Sequence, residues 1–214
     1  MSNSSNRFKV LAFDPGLTTT GWSLSEGSLE NRDLTVLKMD SIYPGPTIDK
    51  KAYRNEVAKF DRRTITLVYL REQVVKLLDE LNPDFVVAED IFINMQRPQA
   101  YGALCMWIST VRMICRDHKG MYLTTIPTKL CKRETCGTGS SNKLTVQQAI
   151  AASPHIKFKD EYAISHMTEH QADSIAVAVA FRNLFEDTIK NTLFPPPPEE
   201  EKKTKKKEKK DASN

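Results

Sequence analysis

The sequence predicts an α/β fold built on a mixed sheet, and three stretches predict it. The apolar run Phe8 to Phe13 closes on a carboxylate and a Pro-Gly turn, in Phe13-Asp14-Pro15-Gly16-Leu17-Thr18-Thr19-Thr20-Gly21-Trp22. A helical pattern is followed by a second apolar run, Asp84-Phe85-Val86-Val87-Ala88-Glu89-Asp90, which also closes on acids. Near the end, Thr168-Glu169-His170-Gln171-Ala172-Asp173 opens a small-residue helix with ionisable groups in its first turn. Short apolar runs bounded by turn residues read as buried strands. A strand reached through a helix returns parallel to its predecessor by a right-handed crossover.

Taken in order, Phe8 to Phe13 is the first strand, Gly21 to Ser25 the second and Thr35 to Ile42 the third. The turn-rich gaps between them are short, which favours an antiparallel meander. Tyr43-Pro44-Gly45-Pro46 ends it. From Ala52 to Leu81 the apolar residues Val57, Phe60, Ile65, Val68, Leu70, Val74, Leu77, Leu78 and Leu81 follow a helical period, stopped by Asn82-Pro83. Arg54, Lys59, Arg62, Arg63 and Arg71 lie between them, either as a solvated face or as contacts to backbone phosphates.

The strand from Asp84 brings Glu89 to its C-terminal end, as the first strand does Asp14. Side chains alternate along a strand, so Glu89 points inward and Asp90 away. Gln99 to Asp117 reads as a helix, with Tyr101 and Trp107 as core aromatics, and Met121 to Ile126 as a short strand. A short helix from Pro127 to Glu134 carries Lys129, Lys132 and Arg133. The loop 135–142 follows, and Asn142 caps a helix from Lys143 to Ala151. Thr168 and Gln171 form a capping box, so the last helix starts there and places His170 and Asp173 on one face.

At 214 residues the chain is long enough for one domain with a real core, over 8–194, between a disordered N-terminus (1–7) and a disordered tail (195–214). The net charge of +4 excludes a histone-like binder, so a nucleic-acid surface must be a local patch. The Glu/Lys tail from Glu199 to Asp211 supplies seven Lys against five acids, as a solubilising tail or as an electrostatic arm. No apolar run is long enough to span a bilayer and no signal peptide follows Met1, so the expected location is cytoplasmic. Cys105, Cys115, Cys131 and Cys136 contain no zinc spacing and read as reduced thiols.

Asp14 at a strand end suits two chemistries beside the plain one of an Asp that caps a turn. It could hold a divalent metal that activates water against a phosphodiester. Alternatively, the Gly-Leu-Thr-Thr-Thr loop could cradle a nucleotide phosphate, as in actin-like ATPases. That second reading needs another phosphate loop and a Gly-Gly adenosine motif, and the chain has neither. An acid closing one strand, an acid closing a later parallel strand and a His/Asp pair on a late helix together form an acidic cluster for metal-assisted phosphodiester attack.

At this point the sequence resembles the RuvC-type Holliday-junction resolvases, of the ribonuclease-H-like superfamily. The resemblance runs from Lys9 to about Phe185 and rests on four segments in order. These are "AFDPGLTTTGW", "PDFVVAEDIF", "IPTKLCKRETCGTGSSNKLTVQQAI" and "HQADSIAVAVA". It implies a mixed five-stranded sheet flanked by helices. It also implies a metal-dependent endonuclease that cuts four-way DNA junctions by paired nicks in opposed strands.

In that reading Asp14, Glu89 and Asp173 hold the metal, two Mg2+ per site with Mn2+ as the substitute. His170 is the fourth member, as a ligand or as the base that positions water; Glu169 exchanges with it if the helix register moves by one. Lys143 neutralises phosphate beside the scissile bond, and Phe92 contacts the junction centre. Gly137 and Gly139 let their loop approach DNA, to which Lys129, Lys132 and Arg133 add positive charge. The implied assembly is a homodimer through the helix from Gln99, with branched DNA as partner and no membrane. The 49–63 segment and the Lys-rich tail are extra to the family pattern, which suits a bacteriophage member. Two rivals keep the fold: a nuclease for flaps, forks or other branched nucleic acid, and a junction-binding protein without catalysis.

Overall fold

The computed structural model of the chain describes residues 6–91, 98–160 and 162–195. The expectations for Phe92, for residues 1–5 and for the tail beyond 195 lie outside the described residues. Arg7, expected in a disordered N-terminus, is ordered as the first residue of the first strand through its pairing with Ser28. Strands β1 (Arg7–Asp14), β2 (Thr20–Ser28) and β3 (Leu34–Ile42) form the antiparallel meander. Helices α1 (Pro44–Ile48), α2 (Lys51–Phe60) and α3 (Arg62–Leu81) lead to β4 (Phe85–Glu89), which pairs parallel to β1. Helix α4 (Pro98–Lys119) leads to β5 (Leu123–Ile126), parallel to β4. Then come α5 (Thr128–Cys136), α6 (Lys143–Ala152), the short strand β6 (Ile156–Phe158), α7 (Tyr162–Ser165) and α8 (Glu169–Leu184). The strand order is β5-β4-β1-β2-β3-β6.

The sheet therefore has six strands where five were expected. The sixth is three residues long, below the length at which alternation can be read from sequence, and it borrows its conformation from β3. Leu34 donates its N–H to His155 at 2.8 Å and Lys159 donates to Val36 at 2.9 Å. The single helix expected over 52–81 is two helices. The break is at Asp61, whose φ of 72° and ψ of 157° are non-helical. Its carboxylate accepts from the Thr64 N–H at 3.0 Å and the Thr64 hydroxyl at 2.8 Å, so an acid inside the apolar period acts as an N-cap. The Pro-rich stretch after β3 likewise starts α1, with Pro44 at the first position, where no N–H is needed.

Alternation in β1 and β4 divides the core into two layers. Leu11, Phe13, Val86 and Ala88 face α3 and α4, where they meet Leu70, Val74, Leu78, Trp107 and Val111. Burying one such aromatic or aliphatic side chain contributes about 1.5–3 kcal/mol. The residues between them face α8. Phe85 lies with its ring centroid 5.8 Å from that of Phe8 and 5.2 Å from that of Phe181 on α8. Asp14 continues the Phe8, Val10, Ala12 series and Glu89 the Phe85, Val87 series, so both carboxylates point to the α8 side.

Helix α8 lies close to the sheet because small residues meet there. Its buried Ala172, Ala176 and Ala180 run at a four-residue spacing, and Gly21 stands on β2 beneath its first turn. A Cβ at Gly21 would come within 2.1 Å of the His170 carbonyl oxygen. The chain divides after Leu184: Met1–Leu184 is one compact unit containing the whole sheet. In Phe185–Asn214, the described structure is helix α9 (Glu186–Leu193). Among the described residues no helix is long and apolar enough to cross a membrane.

Candidate active site

Five elements deliver side chains to one cavity. Strands β1 and β4 run parallel and end side by side, so Asp14 and Glu89 sit at neighbouring strand ends. Helix α8 enters from the sheet face to which both point. Its start is fixed by the expected capping box: the Thr168 N–H donates to Gln171 Oε1 at 2.8 Å, and the Gln171 N–H to Thr168 Oγ1 at 3.3 Å. The first turn thereby presents His170 and Asp173. Asp14, Glu89, His170 and Asp173 line a cavity of about 240 Å3, together with Lys132, Lys143 and the start of α5 at Thr128.

Behind Asp14 the turn is held by buried polar contacts. The Thr20 hydroxyl donates to the Gly16 carbonyl at 2.6 Å and accepts the Trp107 indole N–H at 3.1 Å. The Pro-Gly loop that ends β1 is thereby tied to α4, and Asp14 sits on a fixed backbone. The sequence marked Trp107 as core and Thr20 as loop; their contact spans 87 positions and carries no local signal.

The charges in the cavity are unevenly compensated. Burial, then the neighbouring Asp14 and Asp173 carboxylates, push Glu89 up to about 7. Burial and Asp14 push Asp173 up to about 6, against the pull of Lys143, Lys132 and His170. Each shift says that ionising these acids together is unfavourable without a further cation. His170 Nδ1 meets Asp14 Oδ2 at 2.6 Å, and that contact raises its proton affinity above the ordinary imidazole value.

Glu169, the exchange for His170 in a helix register shifted by one, meets Lys143 on α6. Its carboxylate accepts from Lys143 Nζ at 2.6 Å and lies 3.6 Å from His170 Nε2. The Lys143 ammonium holds Glu169 below the usual carboxylate value. Lys143, Glu169, His170 and Asp14 thus form a chain of alternating charge from the start of α6 to the end of β1. The α6 start is fixed by Asn142, which accepts the Thr145 N–H at 2.9 Å as expected.

The remaining candidates lie on α5 and its following loop. Lys132 is half-buried at the cavity, Lys129 is exposed, and Arg133 meets Glu134 at 3.3 Å. Gly137 ends α5 with a φ of 77°, which explains a glycine there. A Cβ at Gly139 would stand 3.0 Å from the Lys129 carbonyl oxygen, so its missing side chain lets the loop fold back on α5.

The oxygen-rich donor set at the cavity suits a hard divalent cation better than a soft one. Among the described residues no three His, Cys, Asp or Glu side chains are arranged as a ligand set, and His170 occupies one oxygen of Asp14. A cation at Asp14 would take its other oxygen or compete with that contact.

No protein-family model matches the chain. It is 26% identical to the crossover junction endodeoxyribonuclease RuvC of Caulobacter vibrioides over 177 residues, 82% of this chain and 90% of that protein. It superposes on Thermus thermophilus RuvC in complex with a Holliday junction substrate with a TM-score of 0.61 at 15% identity, covering 85% of this chain and 97% of the other. The yeast mitochondrial Holliday junction resolvase gives a TM-score of 0.61 at 13% identity, with 88% and 81% covered.

Proposed function

We propose that this chain, of RuvC type in sequence and fold, is a metal-dependent endonuclease that resolves four-way DNA junctions by paired nicks in opposed strands. The observation that carries the reading is the meeting of Asp14, Glu89, Asp173 and His170 at one cavity, with two of the acids held far above their ordinary values. A structural ion-pair cluster would match each acid with a base; here, among the described residues, Asp14 alone of the three acids is ion-paired, with His170. Asp14, Glu89 and Asp173 are the proposed ligands for Mg2+, with His170 as the fourth member.

Bound divalent cations would supply a lowered water pKa at the attacking side and charge stabilisation at the leaving oxygen. The chain's own groups would do the rest. His170 would accept a proton from the attacking water at Nε2, the ring nitrogen that Asp14 does not hold and that lies 3.6 Å from Glu169. Lys132 and Lys143 place positive charge at the cavity mouth, where a scissile phosphate would enter. Lys129 and Arg133 continue that charge along α5, and Gly137 and Gly139 keep the adjoining loop low enough for a backbone to pass.

Paired nicks need two sites, and we assign the pairing to α4. This helix exposes Gly102, Met106, Ser109 and Met113 along one stripe, opposite its buried Trp107, Val111 and Ile114. A second copy of the chain set against that stripe would give a homodimer with two cavities.

The test is cleavage of a synthetic four-way junction beside a matched linear duplex and a flap, with and without Mg2+, for wild type and Asp14→Asn. Paired nicks across the junction that require metal and vanish in the variant are expected. Equal or better cutting of the flap would keep the metal nuclease and remove the junction assignment. Tight junction binding without cutting under any divalent cation would leave a junction-binding protein.

A further inference from the structure

The stretch from α1 to the start of α3 is not used by the site described above, yet it departs from the same edge of the sheet. β1 ends upward at Asp14, β2 returns from Thr20, and β3 ends beside it, with Ile42 paired to Thr20. The chain leaves β3 there, forms α1 and α2, and enters α3, which runs back down to β4. In α3 the buried members of the main core cluster begin at Leu70, with Tyr69 packed against them. Helix α3 also packs on α1 and α2, and eight of its residues, 62–69, precede Leu70. At 1.5 Å per residue those eight residues, 62–69, extend about 12 Å. The α1–α2 arm thus stands at the carboxylate end of the sheet, on the α3 side.

Its charge is concentrated. Residues 49–63 hold six Lys and Arg against three acids, a net +3 where the whole chain carries +4. Two of the three acids are already engaged within the arm. Asp49 pairs with Arg62, and Asp61 caps α3 through Thr64. Lys50, Arg54, Lys59 and Arg63 are exposed. Helix α2 is anchored lightly: Tyr53 and Val57 are half-buried, while Phe60 is left 59% exposed between Lys59 and the Arg pair.

We propose that this arm is a second DNA-binding surface, which grips the phosphate backbone of one duplex arm of the branched substrate outside the cleavage cavity. The proposal rests on the junction reading given above and adds to it a place for DNA that the cavity does not reach. Double-stranded DNA carries a negative charge about every 1.7 Å along its axis, so exposed bases on α2 and the first turn of α3 can meet nearby phosphates. Such contacts position the duplex without reading its sequence. Arg54, Lys59 and Arg63 are the phosphate ligands; Arg62, tied to Asp49, fixes the shape of the arm.

The test is a triple variant, Arg54→Gln/Lys59→Gln/Arg63→Gln, compared with wild type for binding to four-way junctions with arms of about 8 and about 25 base pairs, in Ca2+, over a range of salt. Each lost phosphate contact lowers the slope of log affinity against log salt by about 0.9, so a drop of about 2–3 is expected on long arms. Affinity for the long-armed junction should fall at least about tenfold at 100 mM salt. Affinity for the short-armed junction should change little, and cleavage by saturating enzyme should stay at the wild-type rate. The unfolding midpoint of the variant checks that the fold is retained.

An unchanged slope and affinity on long arms, with junction cutting intact, would overturn the arm and leave the resolvase reading in place. A lowered slope in a protein that shows no preference for junctions over linear duplex would uphold the DNA-binding surface and overturn the junction reading instead. Equal losses on short and long arms would overturn the arm, because the three residues would then act at the cavity itself.

Discussion

His170 Nδ1 lies 2.6 Å from Asp14 Oδ2, across 156 positions of sequence, and this contact joins the first turn of the last sheet-packed helix to the end of the first strand. It places an imidazole on a carboxylate that a cation would also seek. The imidazolium and a cation compete for the charge of that carboxylate. Asp14 raises the proton affinity of His170 in the metal-free protein. The contact therefore adds stability below the ordinary imidazole value and loses it as pH rises through the raised one. By NMR titration His170 should titrate above about 6.5, and Asp14→Asn should return it toward that value. Added Mg2+ should lower the wild-type value as well. A His170 titration indifferent to Mg2+ would rule Asp14 out as a ligand.

Glu89 predicts how metal-free stability depends on pH. Its folded value, pushed up to about 7, lies above the ordinary 4.5, so the folded state holds the proton more tightly than the unfolded one. The contribution is fully present below about 4.5 and is lost as pH rises through about 7. Asp173, pushed up to about 6, acts in the same sense. The Glu89 share is about 3 kcal/mol or less. Thermal unfolding in EDTA between pH 5 and 8 should show a falling midpoint, flattened in Glu89→Gln. Mg2+ should restore wild-type stability most at the alkaline end, since cation and proton compete for the same oxygens. A midpoint that stays level in EDTA would show that Glu89 is ionised throughout.

The parts of this site that were legible in sequence are those with a local signature. An apolar run that stops on an acid marks a strand end, which located Asp14 and Glu89. The Thr168/Gln171 box marked the start of α8 and with it the His170 and Asp173 face. What escaped was non-local or below the length of a periodic signal. Asp61 interrupts an apolar period that reads through it unbroken, and only its φ reveals the break. β6 exists through pairing with β3. The coupling of Glu169 to Lys143 spans 26 positions and depends on how α6 lies beside α8.

Gly21 is a further residue whose role the sequence hid, because a glycine at a strand start reads as turn punctuation. Its α-carbon faces the His170 backbone, and a Cβ would come within 2.4 Å of the His170 carbonyl carbon and 2.1 Å of its oxygen. Gly21→Ala must push the first turn of α8 off the sheet. Overpacking of this kind costs about 1–3 kcal/mol. A displacement of about 1 Å at a catalytic group can cost about a hundredfold in rate. The variant should fold with a lowered unfolding midpoint, bind junctions normally and cut them about a hundredfold more slowly. Wild-type cutting by Gly21→Ala would mean that the placement of α8 is not what aligns His170 and Asp173.

The α4 stripe makes the last prediction, because it separates assembly from fold. Met113 is 65% exposed and Met106 is 40% exposed, and both lie on the side of α4 away from the core. A Cβ at Gly102 would meet nothing within 4 Å. The stripe therefore offers flexible apolar side chains beside two small residues, a surface that lets a second helix approach closely and repack around it. Met106→Glu/Met113→Glu removes that apolar surface and sets like charges against each other across a two-fold axis. Since neither side chain belongs to the core, the substitutions should change the stability of a single chain by less than about 0.5 kcal/mol. Sedimentation should show wild type as a dimer at micromolar concentration and the double variant as a monomer. On a four-way junction the variant should leave single nicks, with the paired cut in the opposed strand lost. A variant that still sediments as a dimer would move the interface off α4. A monomeric variant that still makes paired cuts would show that the two nicks do not need two subunits held by this helix.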